Sequence, residues 1–404
     1  MNDEIAVTGI GLVTPGGIGT EATWDTVSSG RPTAIADAAL NDAPVNLACR
    51  VPSLEAGPGR MWRFDRSTRF LFTAAREALA SARLDAADWD PARVAVIVGS
   101  AAGGIDTLET QHRKMLANGP SAVSPMTLPA FLPNMAAGHL ALELGTTGPS
   151  FQTSTACASG ATALITACLL LGAGVCDIVV AGGTDAMVTP LCASAFSKMG
   201  ALSRRSHDPA GASRPFDRDR DGFVLAEGCG VLVLERRRHA DARGVRPLAM
   251  LAGHGSTSDA HHATAPHPDG AGLRAATVAA LSMAGAGFDD VDHINAHGTS
   301  TPLNDRAEAT VVRDLYRRRP PTVTSVKGSL GHTMGAAGAI EAALTVMSIS
   351  RQTAPPTANF TVPDDTTADL GVVSGAGRSQ DIRLALSHSL GFGGHNTVLA
   401  FTAA

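Results

Sequence analysis

Charge is sparse in this sequence, at 17% of 404 residues, and aromatic rings are sparser still, at 4% with a single tyrosine. With 43 glycines and abundant alanine, that balance describes a tightly packed α/β protein and excludes a disordered or fibrous chain. The six cysteines include no C-x-x-C pair, which argues against a disulfide framework or a zinc site. No apolar run approaches the roughly 20 residues needed to cross a bilayer, and no charged-then-apolar leader is visible. The expected compartment is therefore the cytoplasm. A net charge of −5 gives no footing for nucleic acid.

What is present concentrates around Cys157. The run Phe151-Gln152-Thr153-Ser154-Thr155-Ala156-Cys157-Ala158-Ser159-Gly160 leads into the alanine-rich stretch Ala161 to Leu171. It reads as a strand arriving at a sharp turn and a buried helix leaving it. A cysteine at a helix N-terminus lies in the positive end of the helix dipole, so the thiolate is expected to be favoured and covalent acyl chemistry follows. A free cysteine among alanines also reads as a small core hydrophobe. Downstream, Asn295-Ala296-His297-Gly298-Thr299-Ser300-Thr301-Pro302 places a histidine past the short apolar strand Val291 to Ile294. Lys327-Gly328-Ser329-Leu330-Gly331-His332 places a second after the strand Thr322 to Val326, and Gly391-Phe392-Gly393-Gly394 forms a glycine-rich turn before the last strand. One cysteine and two histidines at strand ends make the set a thiol acyltransferase needs.

The chain divides near Arg243-Gly244-Val245-Arg246-Pro247. Strands are expected over Glu4–Gly9, Val94–Val98, Ser150–Ser154, Ile178–Ala181 and Gly230–Leu234, then over Leu248–Gly253, Val291–Ile294, Thr322–Val326, Leu384–Ser387 and Thr397–Phe401. Helical patterns at Gly272–Ala284, Arg306–Tyr316 and Gly338–Ile349 alternate with them, which predicts mostly parallel sheet in both halves. A length of 404 residues implies two structural units.

The T-A-C-A-S-G, N-A-H-G-T-S-T-P, K-G-S-x-G-H and G-F-G-G-x-N blocks, in this order, resemble the β-ketoacyl-[acyl-carrier-protein] synthases of the ketosynthase II type, condensing enzymes of the thiolase superfamily. The likeness runs from Ile5 to Phe401. It implies a thiolase-like α/β fold of five layers (α-β-α-β-α) built from two similar halves. Residues 1–245 would carry the nucleophile and residues 246–404 both catalytic histidines. Cys157 would take an acyl group from a carrier-protein thioester, with the backbone N–H groups of Cys157 and Phe392 as its oxyanion hole. His297 and His332 would stabilise the enolate left when a malonyl thioester loses CO2. Lys327 would pair with Glu341 as electrostatic support, the alternative being a solvated lysine and an exposed glutamate. Thr299 and Thr301 would hold the pantetheine arm, Phe392 and Leu390 would gate the acyl channel, and Phe131 and Met135 would line the acyl pocket. No cofactor is implied beyond the pantetheine carried by the substrates.

Carrier proteins are acidic, so a basic rim is expected at the mouth of the site. Arg63, Arg66 and Arg69 have spacings that suit one helix face, and Arg204 and Arg205 match a docking position in the family. The family is dimeric, and Pro149–Thr155 resembles the strand that pairs across its two-fold axis. Where these enzymes commonly read N-S-F-G-F-G-G, this chain has His388-Ser389-Leu390-Gly391-Phe392-Gly393-Gly394, which points to a specialised pathway. Three alternatives stay open: a homodimeric fatty-acid synthase, a polyketide ketosynthase paired with a chain-length-factor homologue, and a non-catalytic subunit. A coenzyme A thiolase fails, because it needs a second cysteine in the C-terminal half and none lies beyond Cys229.

Three other signals carry no function at this level. Asp217-Arg218-Asp219-Arg220-Asp221-Gly222 opens like an EF-hand loop but has Gly228 at the twelfth position. Gly9-Ile10-Gly11 lacks the third glycine of a dinucleotide fingerprint. His261, His262 and His267 crowd near Asp259, in a segment expected to be a surface loop, and no metal is expected there.

Overall fold

The computed structural model describes residues 4–54, 63–85, 87 and 89–404. Its first half contributes strands β1 (Ile5–Thr14), β2 (Val94–Gly99), β3 (Ser150–Thr153), β4 (Ile178–Asp185) and β5 (Gly228–Arg236). Its second half contributes β6 (Ala249–Ser258), β7 (His293–Asn295), β8 (Thr322–Thr324), β9 (Leu384–Gly391) and β10 (His395–Thr402). The first set lies in the order β3-β2-β4-β5-β1 and the second in the order β8-β7-β9-β10-β6. By rank along the chain both read third, second, fourth, fifth, first. The two halves therefore repeat one topology that no sequence repeat announces.

Within each half four strands share one direction and only β5, or β10, runs against them. Two pairings are therefore parallel (β3-β2 and β2-β4; β8-β7 and β7-β9) and two antiparallel. The expected parallel strands are present, with one reversed strand in each half that the expectation did not include. In the second half the reason is local: β9 and β10 are joined by the tight glycine turn, which admits only an antiparallel pair. The halves join edge to edge where Ile5, Ala6 and Val7 of β1 pair with Leu251, Met250 and Ala249 of β6.

Helices α1 (Arg66–Ser81) and α2 (Met135–Leu144) cover the outer face of the first sheet through Phe70, Leu71, Ala74, Ala78 and Leu140. Helices α4 (Ala271–Ala284) and α5 (Pro302–Leu315) cover the outer face of the second through Leu273, Ala276, Ala280, Val311 and Val312. Between the sheets lie α3 (Ser159–Gly172) and α6 (Ala337–Arg351), whose side chains share one core with Val7, Ile97, Leu234, Leu399 and Phe401. These are the five layers expected. Helix α6 is buried at every position from Ala337 to Ile349, as a helix apolar all round must be. Strands β1, β4 and β5 are buried along their whole length, which explains their unbroken apolar runs.

Glycine sets the layer spacing. A Cβ on Gly9 or Gly11 would fall 2.1 and 1.8 Å from the carbonyls of Ala78 and Ala74 in α1. Gly253 and Gly255 of β6 meet Ala280 and Ala276 of α4 in the same way, at 2.2 and 2.0 Å. The Gly9-x-Gly11 pair that resembles a nucleotide motif is a helix-docking seat, and the second half repeats it.

Candidate active site

Cys157 stands between β3 and α3. Ala156 before it has φ 49°, a left-handed conformation that costs a non-glycine residue on the order of 1 kcal/mol. Ser159 holds that turn: its Oγ accepts from the Thr155 amide (2.9 Å) and donates to the Ala156 carbonyl (2.6 Å). Gly391 closes on the other side, where a Cβ would lie 2.4 Å from the Thr155 oxygen and 3.3 Å from the Cys157 nitrogen. The glycine turn therefore abuts the thiol's own backbone.

His332 comes from the second half but is clamped to the first. Its amide donates to Val224 (2.8 Å) and its carbonyl accepts from Ala226 (2.9 Å). Its Nε2 lies 3.2 Å from Cys157 Sγ. His297 faces it, ring centroids 5.5 Å apart at 84°. Lys327 does not end a strand, as expected, but opens a single helical turn, Lys327–Leu330. Its Nζ donates to the His297 carbonyl (2.5 Å), lies 3.4 Å from His297 Nδ1, and forms an ion pair with Glu341 Oε1. Facing a donor, Nδ1 accepts, which puts the His297 proton on Nε2. Lys327 and Glu341 are 2% and 1% exposed, so the solvated alternative is excluded.

The electrostatics overturn one expectation. Burial pushes the Cys157 thiol from 9.0 up to about 12, with Lys327 pulling it down and Asp185 and Glu341 pushing it further up. That displacement is worth about 4 kcal/mol, whereas a helix N-terminus offers about 2 kcal/mol at best. Desolvation wins, and the resting thiol keeps its proton. Burial, then the Lys327 charge, holds His297 and His332 well below 6.5, so both rings are neutral. Burial also lifts Glu341 to about 7 against the pull of Lys327.

Cys157, His297 and His332 line one cavity of about 360 Å³ with Thr299, Thr301, Leu390 and Phe392. The Thr299 and Thr301 hydroxyls lie 2.9 Å apart. Phe392 packs at 6.3 Å from Phe196 and is followed by two left-handed glycines, Gly393 and Gly394. Phe131 and Met135 are half-buried and do not line this cavity in the single chain.

The expected docking arginines separate. Arg63 precedes α1, whose N-cap is Asp65. Arg66 spends its charge on buried Glu227, at 2.9 and 2.5 Å, and lies over the Phe70 ring; Arg69 is half-buried. This trio does not form one exposed face: all three are half-buried, and Arg66 turns to the interior carboxylate of Glu227. Arg204 is exposed, and Arg205 donates to the Asp219 carbonyl (3.0 Å); both follow Ala201, which lines the cavity. The EF-hand-like Asp217 accepts from Val362, Thr361, Asp219 and Arg214, so its oxygens are engaged within the chain. The rings of exposed His261 and half-buried His267 lie 5.1 Å apart, tilted by 59°. Among the described residues no group of three His, Cys, Asp or Glu is placed to hold a metal.

Sequence reasoning missed two carboxylates. Glu308, on α5 and 0% exposed, accepts from the amides of His297 (2.8 Å) and Gly298 (2.7 Å). Its signal was a carboxylate sharing a helix face with Val311 and Val312. Asp185, at the end of β4, accepts from Ser100 Oγ (2.6 Å) and the amides of Ala101 (2.9 Å) and Gly335 (2.7 Å). It thereby ties the loop after β2 to the loop after His332.

Residues 2–240 match the family described as Beta-ketoacyl synthase, N-terminal domain, and residues 248–361 match Beta-ketoacyl synthase, C-terminal domain. The chain belongs to the β-ketoacyl synthase family. It is 40% identical to 3-oxoacyl-[acyl-carrier-protein] synthase 2 of Synechocystis, over 98% of this chain and 97% of that one. The Staphylococcus aureus (strain N315) protein of the same name is 38% identical over 99% and 98%. Among solved structures, a type II polyketide ketosynthase in complex with its acyl-carrier protein superposes with TM-score 0.94 at 30% identity, covering all of both chains. The ishigamide ketosynthase/chain length factor gives 0.94 at 31%, also covering all of both chains. β-Ketoacyl synthases are acyltransferases, and their fold is the five-layered one described above.

Proposed function

We propose that this β-ketoacyl synthase elongates acyl chains by decarboxylative Claisen condensation on acyl-carrier-protein substrates. The observation that carries the reading is the contact of Cys157 Sγ with His332 Nε2 at 3.2 Å, with His297 opposite in the same buried cavity. Cys157 attacks the thioester of an acyl-carrier protein. The carbonyl oxygen meets the amides of Cys157 and Phe392 as it becomes an oxyanion. The thiol proton, relayed by His332 Nε2, ends on the departing pantetheine thiol. A malonyl-carrier protein then enters and loses CO2. Burial, then Lys327, keeps His297 and His332 neutral, and Glu341 balances Lys327. His297 donates to the enolate oxygen from Nε2, and His332 joins it once its own proton has moved through solvent from Nδ1 to Nε2. The enolate carbon attacks the acyl thioester, the C–S bond to Cys157 breaks, and the departing thiolate takes one proton from solvent to restore the resting thiol. The chemistry uses no cofactor of the protein's own.

Thr299 and Thr301 hold the pantetheine arm, Phe392 and Leu390 gate the channel, and Arg204 and Arg205 meet the acidic carrier. The division of labour at 245/246, with the nucleophile before it and both histidines after, belongs to this reading. So does a dimer: β3 is an end strand of the sheet, and Phe151 on it is 39% exposed. Phe131 and Met135 then complete the acyl pocket from across the interface. Among the described residues no helix is long and apolar enough to cross a membrane, and we assign the cytoplasm.

A second reading, a ketosynthase paired with a chain-length-factor homologue, is favoured by the 0.94 superposition on such a complex. Intact-mass analysis after exposure to a panel of acyl-carrier proteins tests both. An adduct on the wild type and none on Cys157→Ala supports the condensing enzyme. An adduct formed only after a homologous subunit is added supports the paired form. No adduct under either condition leaves the non-catalytic subunit.

A further inference from the structure

Alternation along β9 places Leu384, Leu386 and Leu390 in the outer core beneath α4 and α5, and His388 shares their face. Its imidazole is 0% exposed and does not line the cavity. Nδ1 lies 3.1 Å from Glu308 Oε1, and Nε2 is buried with no hydrogen-bond partner. A carboxylate accepts, so Nδ1 carries the proton and donates. Nε2 is then a bare lone pair, the cheaper atom to leave unpaired.

Glu308 in turn fixes the turn that presents His297. One oxygen accepts from the His297 amide and His388, and the other from the Gly298 amide. Ser325 Oγ donates to the Gly298 carbonyl (2.7 Å), and a Cβ on Gly298 would fall 2.6 Å from Ser325 Cβ. The turn is thus seated on one carboxylate whose third donor is His388. Without that donor the carboxylate keeps only the two amides of the turn it positions, and no hydrogen bond from outside the turn fixes it.

We propose that His388 is a positioning residue for His297, acting through Glu308; the proposal rests on the condensing-enzyme reading above. It makes no hydrogen bond to Cys157 or His332. Its removal should therefore act on the half-reaction that needs His297, the loss of CO2 from malonyl-carrier protein, more than on loading of Cys157. Misplacing a reacting group in this way slows its step on the order of tenfold to a hundredfold.

The test compares His388→Phe, which keeps a ring but no nitrogen, with His388→Asn, which keeps a donor. Cys157 loading from an acyl-carrier protein is read by intact mass. CO2 release from malonyl-carrier protein is read on the loaded enzyme. Melting curves select a temperature at which wild type and both variants are folded. The proposal expects His388→Phe to lose CO2 release by about tenfold or more while loading changes by less than about threefold, with His388→Asn restoring most of the loss. Equal losses in the two half-reactions, an unimpaired Phe variant, or an Asn variant no better than Phe overturns it. A wild type that neither loads nor releases CO2, alone or with a homologous subunit added, overturns the condensing-enzyme reading instead.

Discussion

Titrating the reactivity of Cys157 tests whether burial or the helix dipole governs the nucleophile. With its pKa raised from 9.0 to about 12 by burial, about one thiol in ten thousand is ionised at pH 8, against about one in ten for an ordinary cysteine. The more basic thiolate is intrinsically more nucleophilic, which returns a factor of about 15 to 30. The net expectation is alkylation by iodoacetamide about 30- to 60-fold slower than that of an unperturbed thiol. The assay follows intact mass of the substrate-free protein from about pH 6 to about pH 10, with Cys157→Ala giving the background of the other five cysteines, all buried. The logarithm of the rate should rise with pH across the whole range without a plateau. A plateau between about pH 6 and 8 would refute the reasoning, because it would mean a stable thiolate–imidazolium pair between Cys157 and His332.

Gly11→Ala drives a Cβ to 1.8 Å from a backbone carbonyl, so it should destabilise by about 3 kcal/mol or more. Gly119→Ala meets nothing within 4 Å and strains only its φ of +83°, for about 1 kcal/mol; urea unfolding ranks the two. Burial raises Glu235 but bonds from His239, Arg243 and Thr8 outweigh it, leaving its pKa below 4.5. Its stabilisation is therefore complete above that pH and is lost as pH falls through the folded value. Glu235→Gln should lower the melting temperature at neutral pH and flatten its fall in acid; an unchanged acid limb refutes the assignment. Leu390→Phe should narrow the cavity and cut kcat/KM for the longest accepted acyl chain about tenfold or more, with shorter chains spared; an unshifted preference removes Leu390 from the channel.

The sequence exposed local signals well and relations between distant segments poorly. The ten expected strands all overlap observed ones, because strands covered on both faces leave continuous apolar runs, whereas the short strands Ile35–Ala36 and Leu47–Cys49 left no pattern. Helix α5 begins at Pro302, four residues ahead of the expected start, since its polar first turn breaks the apolar pattern. The one reversed strand in each half was not visible, because pairing is decided between segments and not within them. Cys157, His297 and His332 stood out at strand ends beside small residues and within the motif blocks, and Lys327 came only with the family resemblance. Glu308 and Asp185 did not, since their function is to accept backbone amides, and any stretch of chain supplies amides. The thiol's ionisation was misjudged for a related reason. A dipole can be read from one helix, whereas desolvation comes from everything packed around the group.

The placement of α3 and α6 bears on how the protein is made. Each covers its own sheet on one side and the other half's helix on the other, with Gly160 and Gly338 at the crossing. A ribosome that has finished β5 has released a sheet and helix whose inner surface has no cover. More than one hundred residues must still emerge before α6 can supply it, which takes on the order of 5 to 20 seconds. For that interval the nascent chain exposes an alanine- and leucine-rich face that favours self-association. Holding that face in solution is a task for chaperones, and cutting the gene between the halves would make the exposure permanent.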